Sequence, residues 1–342
     1  MKSLFTRAAA PQPSCRDYGT CTCVMDPATI GKHVFIELSS VCNLLCEFCA
    51  YTWSERKGTM MPLDLLEKIL KDLRKLRPVE YIMFSALGEP TLHPQFGEAC
   101  RLVRQHGFHL IVTTNGSRLN ESMSQLPIDE MFVSFNTPTA EAYVLKHAKG
   151  LDFDAYVENL GRFLESVPMY DTYIYLFTEN RRDYPGSQGM IDRHCPESAR
   201  RLEDLIRRLK PGIIVPTPIP DYIELYSNVI VALKRFTLWA NCNVPPHLYV
   251  EEAKSIPGSS CNYYKHHINV LASGDVTLCC GDYDGGMRIG NVKAEPLYDI
   301  FARKDPNIDL AQHEFCRRCK GTVKERACAG CEAPVAPITG EL

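Results

Sequence analysis

The sequence predicts an α/β protein in which parallel β-strands alternate with helices. Two observations support this class: apolar, β-rich runs recur along residues 33–238, and segments with helical spacing separate them. The amino-acid composition changes near residue 239, after which cysteine, glycine, proline and turn dipeptides dominate. We therefore expect an N-terminal segment 1–32, an α/β unit 33–238 and a cysteine-rich region 239–342. The pattern alone fits either a barrel or an open sheet.

The elements follow from local patterns. The runs predicted to be strands are 33–39, 79–86, 108–114, 130–136, 172–178 and 212–218. The segments predicted to be helices are 62–76, 96–107, 153–167 and 197–210. Pro62 suits the start of the first helix, because proline fits the first helical position. In residues 266–281 two apolar runs flank Ser273-Gly274-Asp275, which predicts a β-hairpin.

Composition narrows the functional classes. The 342 residues are 45% hydrophobic and 23% charged with a net charge of −3, which is ordinary for a globular chain and indicates neither a nucleic-acid partner nor a membrane-surface partner. No apolar run approaches the roughly 20 residues of a membrane-spanning helix. The N-terminus lacks the apolar core of a secretory signal, so we predict a cytoplasmic protein. Sixteen cysteines in a reducing cytosol then indicate metal or redox chemistry.

Three closely spaced cysteines follow the first predicted strand. Cys42, Cys46 and Cys49 are separated by three and two residues, at the strand end where α/β proteins collect ligands. Zinc is the alternative, but no histidine lies close downstream to complete a Cys₃His site. Thiolates also bind iron–sulfur clusters, and three of them leave one iron of a four-iron cube open.

This triplet, with Phe48 before the last cysteine, resembles the signature of the radical S-adenosylmethionine (SAM) superfamily. The resemblance runs over roughly residues 33–220 and includes Leu87-Gly88-Glu89-Pro90, which is similar to the family's GGEP segment except that leucine replaces the first glycine. It implies a partial (βα)6 TIM-like barrel and a 4Fe-4S cluster whose open iron binds SAM.

The resemblance also implies which residues contact SAM. The GEP segment would hold the SAM amino group, and the end of the third strand would reach its ribose and carboxylate. The end of the fourth strand offers polar side chains as further candidates. The implied residues are Phe48, Gly88, Glu89, Pro90, Thr113, Thr114, Asn115, Ser134 and Asn136.

The C-terminal cysteines resemble the SPASM or twitch extension of radical SAM enzymes, which binds auxiliary iron–sulfur clusters. The implied ligands are Cys261, Cys279, Cys316, Cys319, Cys328 and Cys331. The spacing departs from the SPASM pattern, and no cysteine follows Cys331. We therefore expect one or two auxiliary clusters, of which the second would lack one cysteine ligand. A zinc ribbon is the alternative for 316–331. Cys15, Cys21 and Cys23 match no partner spacing.

The resemblance implies reductive cleavage of SAM to a 5′-deoxyadenosyl radical that abstracts hydrogen from a C–H bond, with flavodoxin or ferredoxin as electron donor. Only 32 residues precede the first strand, so no leader-binding domain is expected. This favours a small polar substrate, such as a sugar or aminocyclitol, that is oxidised or epimerised. The alternatives are a maturase or epimerase of a ribosomally made peptide and a non-catalytic iron–sulfur or zinc-binding interaction protein.

Epimerisation needs a thiol that returns a hydrogen atom. Cys242, between the barrel and the extension, is the candidate hydrogen donor, and Cys195 is a weaker one. Candidates for acid–base assistance are Glu37, Glu179 and His194 near strand ends, although each also fits a core pair or a loop residue.

Overall fold

A computed structural model describes residues 33–52, 54–76, 79–166, 168–178, 192, 195–235, 264, 267–279, 281–305, 308–313 and 316. Its strands are β1 His33–Ile36, β2 Tyr81–Phe84, β3 Leu110–Thr114, β4 Glu130–Asn136, β5 Asp171–Thr178, β6 Tyr222–Tyr226, β7 Val229–Arg235, β8 His267–Val270, β9 Asp275–Thr277 and β10 Arg288–Asn291. Its helices are α1 Leu63–Leu73, α2 Phe96–Gln105, α3 Ala140–Tyr143, α4 Phe153–Glu165, α5 Pro196–Leu209 and α6 Leu297–Ala302.

The described strands form one sheet in the order β10-β9-β8-β1-β2-β3-β4-β5-β7-β6. Strands β1 to β5, β7 and β8 run parallel to one another, whereas β6 pairs antiparallel with β7, and β9 pairs antiparallel with both β8 and β10. This is a mixed α/β fold with a parallel core, consistent with a partial TIM-like barrel followed by hairpin strands. All carboxyl ends of β1 to β5 meet at one edge, where ligands bind in such folds.

The alternation of side chains along each strand separates two cores. On β1, Val34 and Ile36 face the helices, where they join Leu66 and Leu70 of α1 in the large outer core. Phe35 faces the opposite side. The inner core is rich in aromatic rings and consists of Phe35, Met83, Ile111, Phe132, Tyr173, Tyr175 and Ala232. The helices therefore cover one face of the sheet, and the barrel interior lies on the other.

The C-terminal strands continue the sheet. Strand β8 pairs with β1 in parallel register, with Phe35 opposite Asn269. Ile268, Val270 and Val276 are fully or almost fully buried in the same outer core as the strands of the barrel. The predicted hairpin at 273–275 is present, with Gly274 at a φ of 90° that favours glycine. The predicted boundary at 239 stays a prediction.

One predicted strand is wrong. Residues 212–218 lie in a loop, where Ile214 is 90% exposed, and two prolines remove the backbone donors that a central strand needs. The sixth parallel strand is β7, which forms a hairpin with β6 around a two-residue turn at 227–228. The other predicted strands and helices are present: β4 has the predicted bounds, and the ends of the others differ by at most three residues. Among the described helices, none has the length and apolar character needed to cross a membrane.

Candidate functional site

The cysteine triplet lies on the loop that leaves the carboxyl end of β1. Cys42, Cys46 and Cys49 are all partly buried. The loop is braced from the segment after α3, because Leu145 O accepts a hydrogen bond from Glu47 N at 2.8 Å and Lys146 O accepts one from Leu45 N at 3.2 Å. These two bonds flank Cys46 and fix the middle of the loop.

Two N–H groups point at the outer thiols. The backbone N–H of Tyr51 approaches Cys49 Sγ at 3.5 Å, and the side-chain amide of Asn115 approaches Cys42 Sγ at 3.7 Å. Asn115 also donates to Asn43 Oδ1 at 3.1 Å. Donors aimed at sulfur stabilise thiolates, which are the form that binds a metal.

Burial raises the pKa of all three thiols, and the pKa of Cys42 rises to about 12. Because the ligand form is the thiolate, metal binding at these cysteines would release protons. Among the described residues, no three His, Cys, Asp or Glu side chains form a site for a single metal ion. A four-iron cube takes one thiolate on each iron rather than several on one, so the thiol donors and their N–H partners fit a cluster.

Glu89 joins the ends of β2 and β3. Its buried carboxylate accepts four hydrogen bonds: from the backbone and hydroxyl of Thr91 at 3.1 and 2.6 Å, from the hydroxyl of Thr114 at 2.7 Å and from the backbone of Asn115 at 2.6 Å. Burial raises the pKa of Glu89, and these donors oppose that shift. The carboxylate thus holds the loop that carries Asn115 next to Cys42.

Gly88 lies directly on the backbone after β1. A Cβ atom there would be 2.0 Å from Ser39 O, and Glu89 N donates to Val41 O at 2.8 Å. Ala86, two residues before Gly88, has a φ of 104°, which is unusual for a residue with a side chain. The glycine that the family motif and this chain share is therefore required by close packing of two loops.

Leu87 explains the departure from the GGEP segment. Its side chain is buried with Ala50, Tyr51 and Tyr283, and Cys42 and Cys49 pack against this group. The leucine thus forms part of an apolar wall beside the thiols. Tyr51 additionally accepts a hydrogen bond from Cys42 N at 3.1 Å.

Lys146 is a buried cation that sequence reasoning missed. Only 1% of it is exposed, and its ammonium donates to Ser134 O at 3.0 Å and to the Tyr156 hydroxyl at 3.3 Å. The ammonium also lies 4.7 Å from the centre of the Tyr156 ring. Burial lowers the pKa of Lys146 to about 8, while Cys46, Cys42 and Glu89 oppose that shift. A lysine in a polar-looking segment gave no signal of this position.

Arg56, which follows the triplet loop, forms an ion pair with Glu37 and a hydrogen bond with the C-terminal region. Arg56 donates to both oxygens of Glu37 at 2.6 and 2.7 Å, and its Nε donates to Tyr283 O at 2.7 Å. Glu37 also accepts from Ala272 N at 2.9 Å. Glu37 is therefore a core ion pair, which is the alternative that the sequence left open for it.

The predicted auxiliary ligands are only partly described. Cys279 follows β9, and its sulfur accepts a hydrogen bond from Gly281 N at 3.3 Å. Cys316 lies 3.9 Å from the sulfur of Met287, in a small core with Tyr264 and Leu278. Cys261, Cys319, Cys328, Cys331 and the candidate donor Cys242 lie outside the described residues, as do Glu179 and His194.

The remaining predicted contacts lie at the same edge. Pro90 is buried at the start of a short 3-10 turn that Glu89 caps, and Phe48 is buried beside the last cysteine of the triplet. Thr113, Ser134 and Asn136 are partly exposed at the ends of β3 and β4. Asn136 has a φ of 58°. Their contacts to SAM stay a prediction.

Comparison with known families agrees with this arrangement. Residues 36–187 match the radical SAM superfamily, and residues 261–332 match SPASM, an iron–sulfur cluster-binding domain. The chain therefore belongs to the radical SAM superfamily. Within that superfamily it is of the kind that carries a SPASM domain, and these families bind a 4Fe-4S cluster with SAM and auxiliary clusters.

Relatives with assigned roles match parts of the chain. The tungsten-containing aldehyde ferredoxin oxidoreductase cofactor-modifying protein of Pyrococcus furiosus is 33% identical over 217 residues, which are 57% of this chain and 59% of that protein. The S-adenosylmethionine-dependent nucleotide dehydratase of a Thermoplasmatales archaeon is 35% identical over 86 residues, 25% of this chain and 30% of that protein. The matches thus span less than two thirds of either relative.

Solved structures share the fold. BtrN in complex with AdoMet and 2-DOIA is 17% identical with a TM-score of 0.50 and covers 85% of this chain and 94% of its own. Streptococcus suis SuiB bound to S-adenosylmethionine is 15% identical with a TM-score of 0.52 and covers 80% of this chain and 66% of its own.

Proposed function

We propose that this chain reductively cleaves SAM and uses the 5′-deoxyadenosyl radical to abstract hydrogen from a C–H bond of a small polar substrate. The observation that carries the proposal is the convergence of three thiols with the Glu89–Thr114–Asn115 network at one edge of the sheet. A non-catalytic iron–sulfur carrier would have no need to fix the ends of β2 and β3 beside its cysteines.

The protein's own residues would bind the cluster and position the groups that face SAM. Cys42, Cys46 and Cys49 would bind the cluster, which when bound supplies the electron that splits the sulfonium of SAM. Glu89 keeps the end of β3 in place through its four hydrogen bonds, so that Asn115 and Thr113 can face SAM. Buried Leu87 and Tyr51 exclude water from one side of the thiols. Such exclusion protects a radical from quenching.

A small substrate is supported by the names of the relatives. The protein from Pyrococcus furiosus is described as cofactor-modifying, and the archaeal relative acts on a nucleotide. SuiB has been solved with its precursor peptide SuiA, but that likeness of 14% identity concerns the fold alone. Oxidation and epimerisation of a sugar-like or cofactor-like molecule are therefore the first reactions to examine.

The central experiment is anaerobic reconstitution followed by addition of dithionite and SAM. We expect methionine and 5′-deoxyadenosine from the wild-type chain, and at least a hundredfold less from Cys46→Ala, because the cluster loses one of three ligands. Cys100→Ala is the matched control, since Cys100 is buried on α2 in the outer core and should leave cleavage unchanged. A chain that takes up only zinc, or that holds iron but never consumes SAM, would contradict the proposal.

A second experiment identifies the substrate class. Candidate sugars, aminocyclitols, nucleotides and peptides carrying deuterium are offered in turn, and transfer of deuterium into 5′-deoxyadenosine marks the substrate. Turnover in D₂O then separates two outcomes, because epimerisation introduces solvent deuterium into the product and oxidation does not. Transfer from a peptide alone would favour the maturase alternative.

A further inference from the structure

Within the described part of the chain, Lys146 is buried without an opposite charge in contact. The groups there that contact its ammonium are neutral: the carbonyl of Ser134, the hydroxyl of Tyr156 and the faces of the Phe135 and Tyr156 rings. Among the residues that the structure describes, no carboxylate forms an ion pair with it. A buried charge of this kind is costly unless a nearby negative charge compensates it.

The position of Lys146 is fixed relative to Cys46. The carbonyls of Leu145 and Lys146 accept hydrogen bonds from Glu47 N and Leu45 N, on either side of Cys46. Electrostatic interactions connect the ammonium with Cys46 first and with Cys42 and Glu89 more weakly. The three thiolates and their cluster would therefore place further negative charge next to this cation, in addition to that of Glu89.

We propose that the positive charge of Lys146 makes the cluster held by Cys42, Cys46 and Cys49 easier to reduce. This inference rests on the proposed function. Reduction adds one electron, supplied by dithionite, and breaks no bond, so the reduced cluster carries one more negative charge than the oxidised cluster. A fixed cation stabilises the more negative state of the cluster by electrostatic attraction. This attraction is strong when the cation is buried, because salt and water then screen its charge little. Net charge near a cluster is one of the levers that set its potential.

The test is a redox titration of the reconstituted chain in the absence of SAM. The titration is monitored through the electron paramagnetic resonance signal of the reduced cluster. We expect Lys146→Met to lower the equilibrium constant for reduction at least tenfold, which corresponds to a shift of about 59 mV to lower potential. Lys57→Met is the matched control, because Lys57 also lies near the triplet but is exposed on the ring of Tyr51. Its effect should be less than twofold.

Lys146→Gln provides a second variant if methionine does not fold, and it should show the same direction of shift. An equilibrium constant for reduction within twofold of the wild-type value, in a variant whose triplet holds its cluster, would overturn the proposal. So would loss of the cluster from both variants, or a change in SAM binding alone, since the ammonium would then serve structure or the SAM carboxylate.

The two proposals fail in different ways. A wild-type chain that holds the cluster but never cleaves SAM contradicts the proposed function, while the comparison of potentials still decides the role of Lys146. A wild-type chain without iron at the triplet overturns both.

Discussion

The two ends of the parallel strands use buried charge differently. At the carboxyl end, Glu37 is paired with Arg56, of which only 18% of the side chain is exposed, and Glu89 is enclosed by hydroxyl and backbone donors. At the amino end, the side chains of Asp129 and Glu130 are only 6% and 1% exposed, but those of their partners Arg104 and His109 are 42% and 33% exposed. The first end fixes loops beside the thiols, whereas the second end faces water with its cations.

This difference predicts unequal costs for removing a cation. Arg56→Met leaves the buried carboxylate of Glu37 with only the N–H of Ala272, so we expect the free energy of unfolding to fall by about 3 kcal/mol. Arg104→Met should cost about 1 kcal/mol or less, because its ion pair is partly screened. Urea unfolding of both variants measures the difference. Equal losses would show that the two ends are not distinct.

Packing of the loops at the carboxyl end gives the next effect. Gly88→Ala places a methyl group 2.0 Å from the carbonyl of Ser39, and we expect a loss of about 2 kcal/mol together with weaker SAM binding. Gly161→Ala in α4 is the control, because its nearest neighbour, Arg208 O, would be 3.7 Å away. That variant should gain about 0.5 kcal/mol from helix propensity. A stable Gly88→Ala protein would refute the close approach of these loops.

The smallest expected effect is at the amino end of the strands, where the stability of the protein should depend on pH. The hydrogen bond to Glu130 raises the pKa of His109 above its ordinary value. Stability from this histidine is therefore present below about pH 6.5 and is lost as the pH rises through the folded-state pKa.

His109→Gln should accordingly cost more at pH 5.5 than at pH 8.5. We expect a difference of about 0.5 kcal/mol or less, since the ring is one-third exposed. Thermal or urea unfolding at the two pH values checks it. A larger cost at high pH would reverse the assignment of the interaction.

Local physical causes decided which features of the fold and the site could be predicted from the sequence. Cys42, Cys46, Cys49 and the GEP segment were recognisable because their chemistry demands fixed spacing within one loop. The strand predicted at 212–218 is wrong because its short apolar run contains two prolines, whereas β7 has the continuous apolar run VIVAL that a buried parallel strand needs. Lys146 and Arg56 gave no sequence signal, because exposed and buried cations look alike in a single sequence.

The sequence by itself determined the alternation of strands and helices from β1 to α5, the thiol triplet and the family to which the chain belongs, since periodicity and ligand spacing are local properties. Only the tertiary structure decided that β8 extends the sheet beside β1, that Arg56 ties the triplet loop to Glu37 and Tyr283, and that Lys146 is buried next to Cys46. These contacts join residues far apart in the chain, and the energy of a buried charge depends on what the fold brings around it.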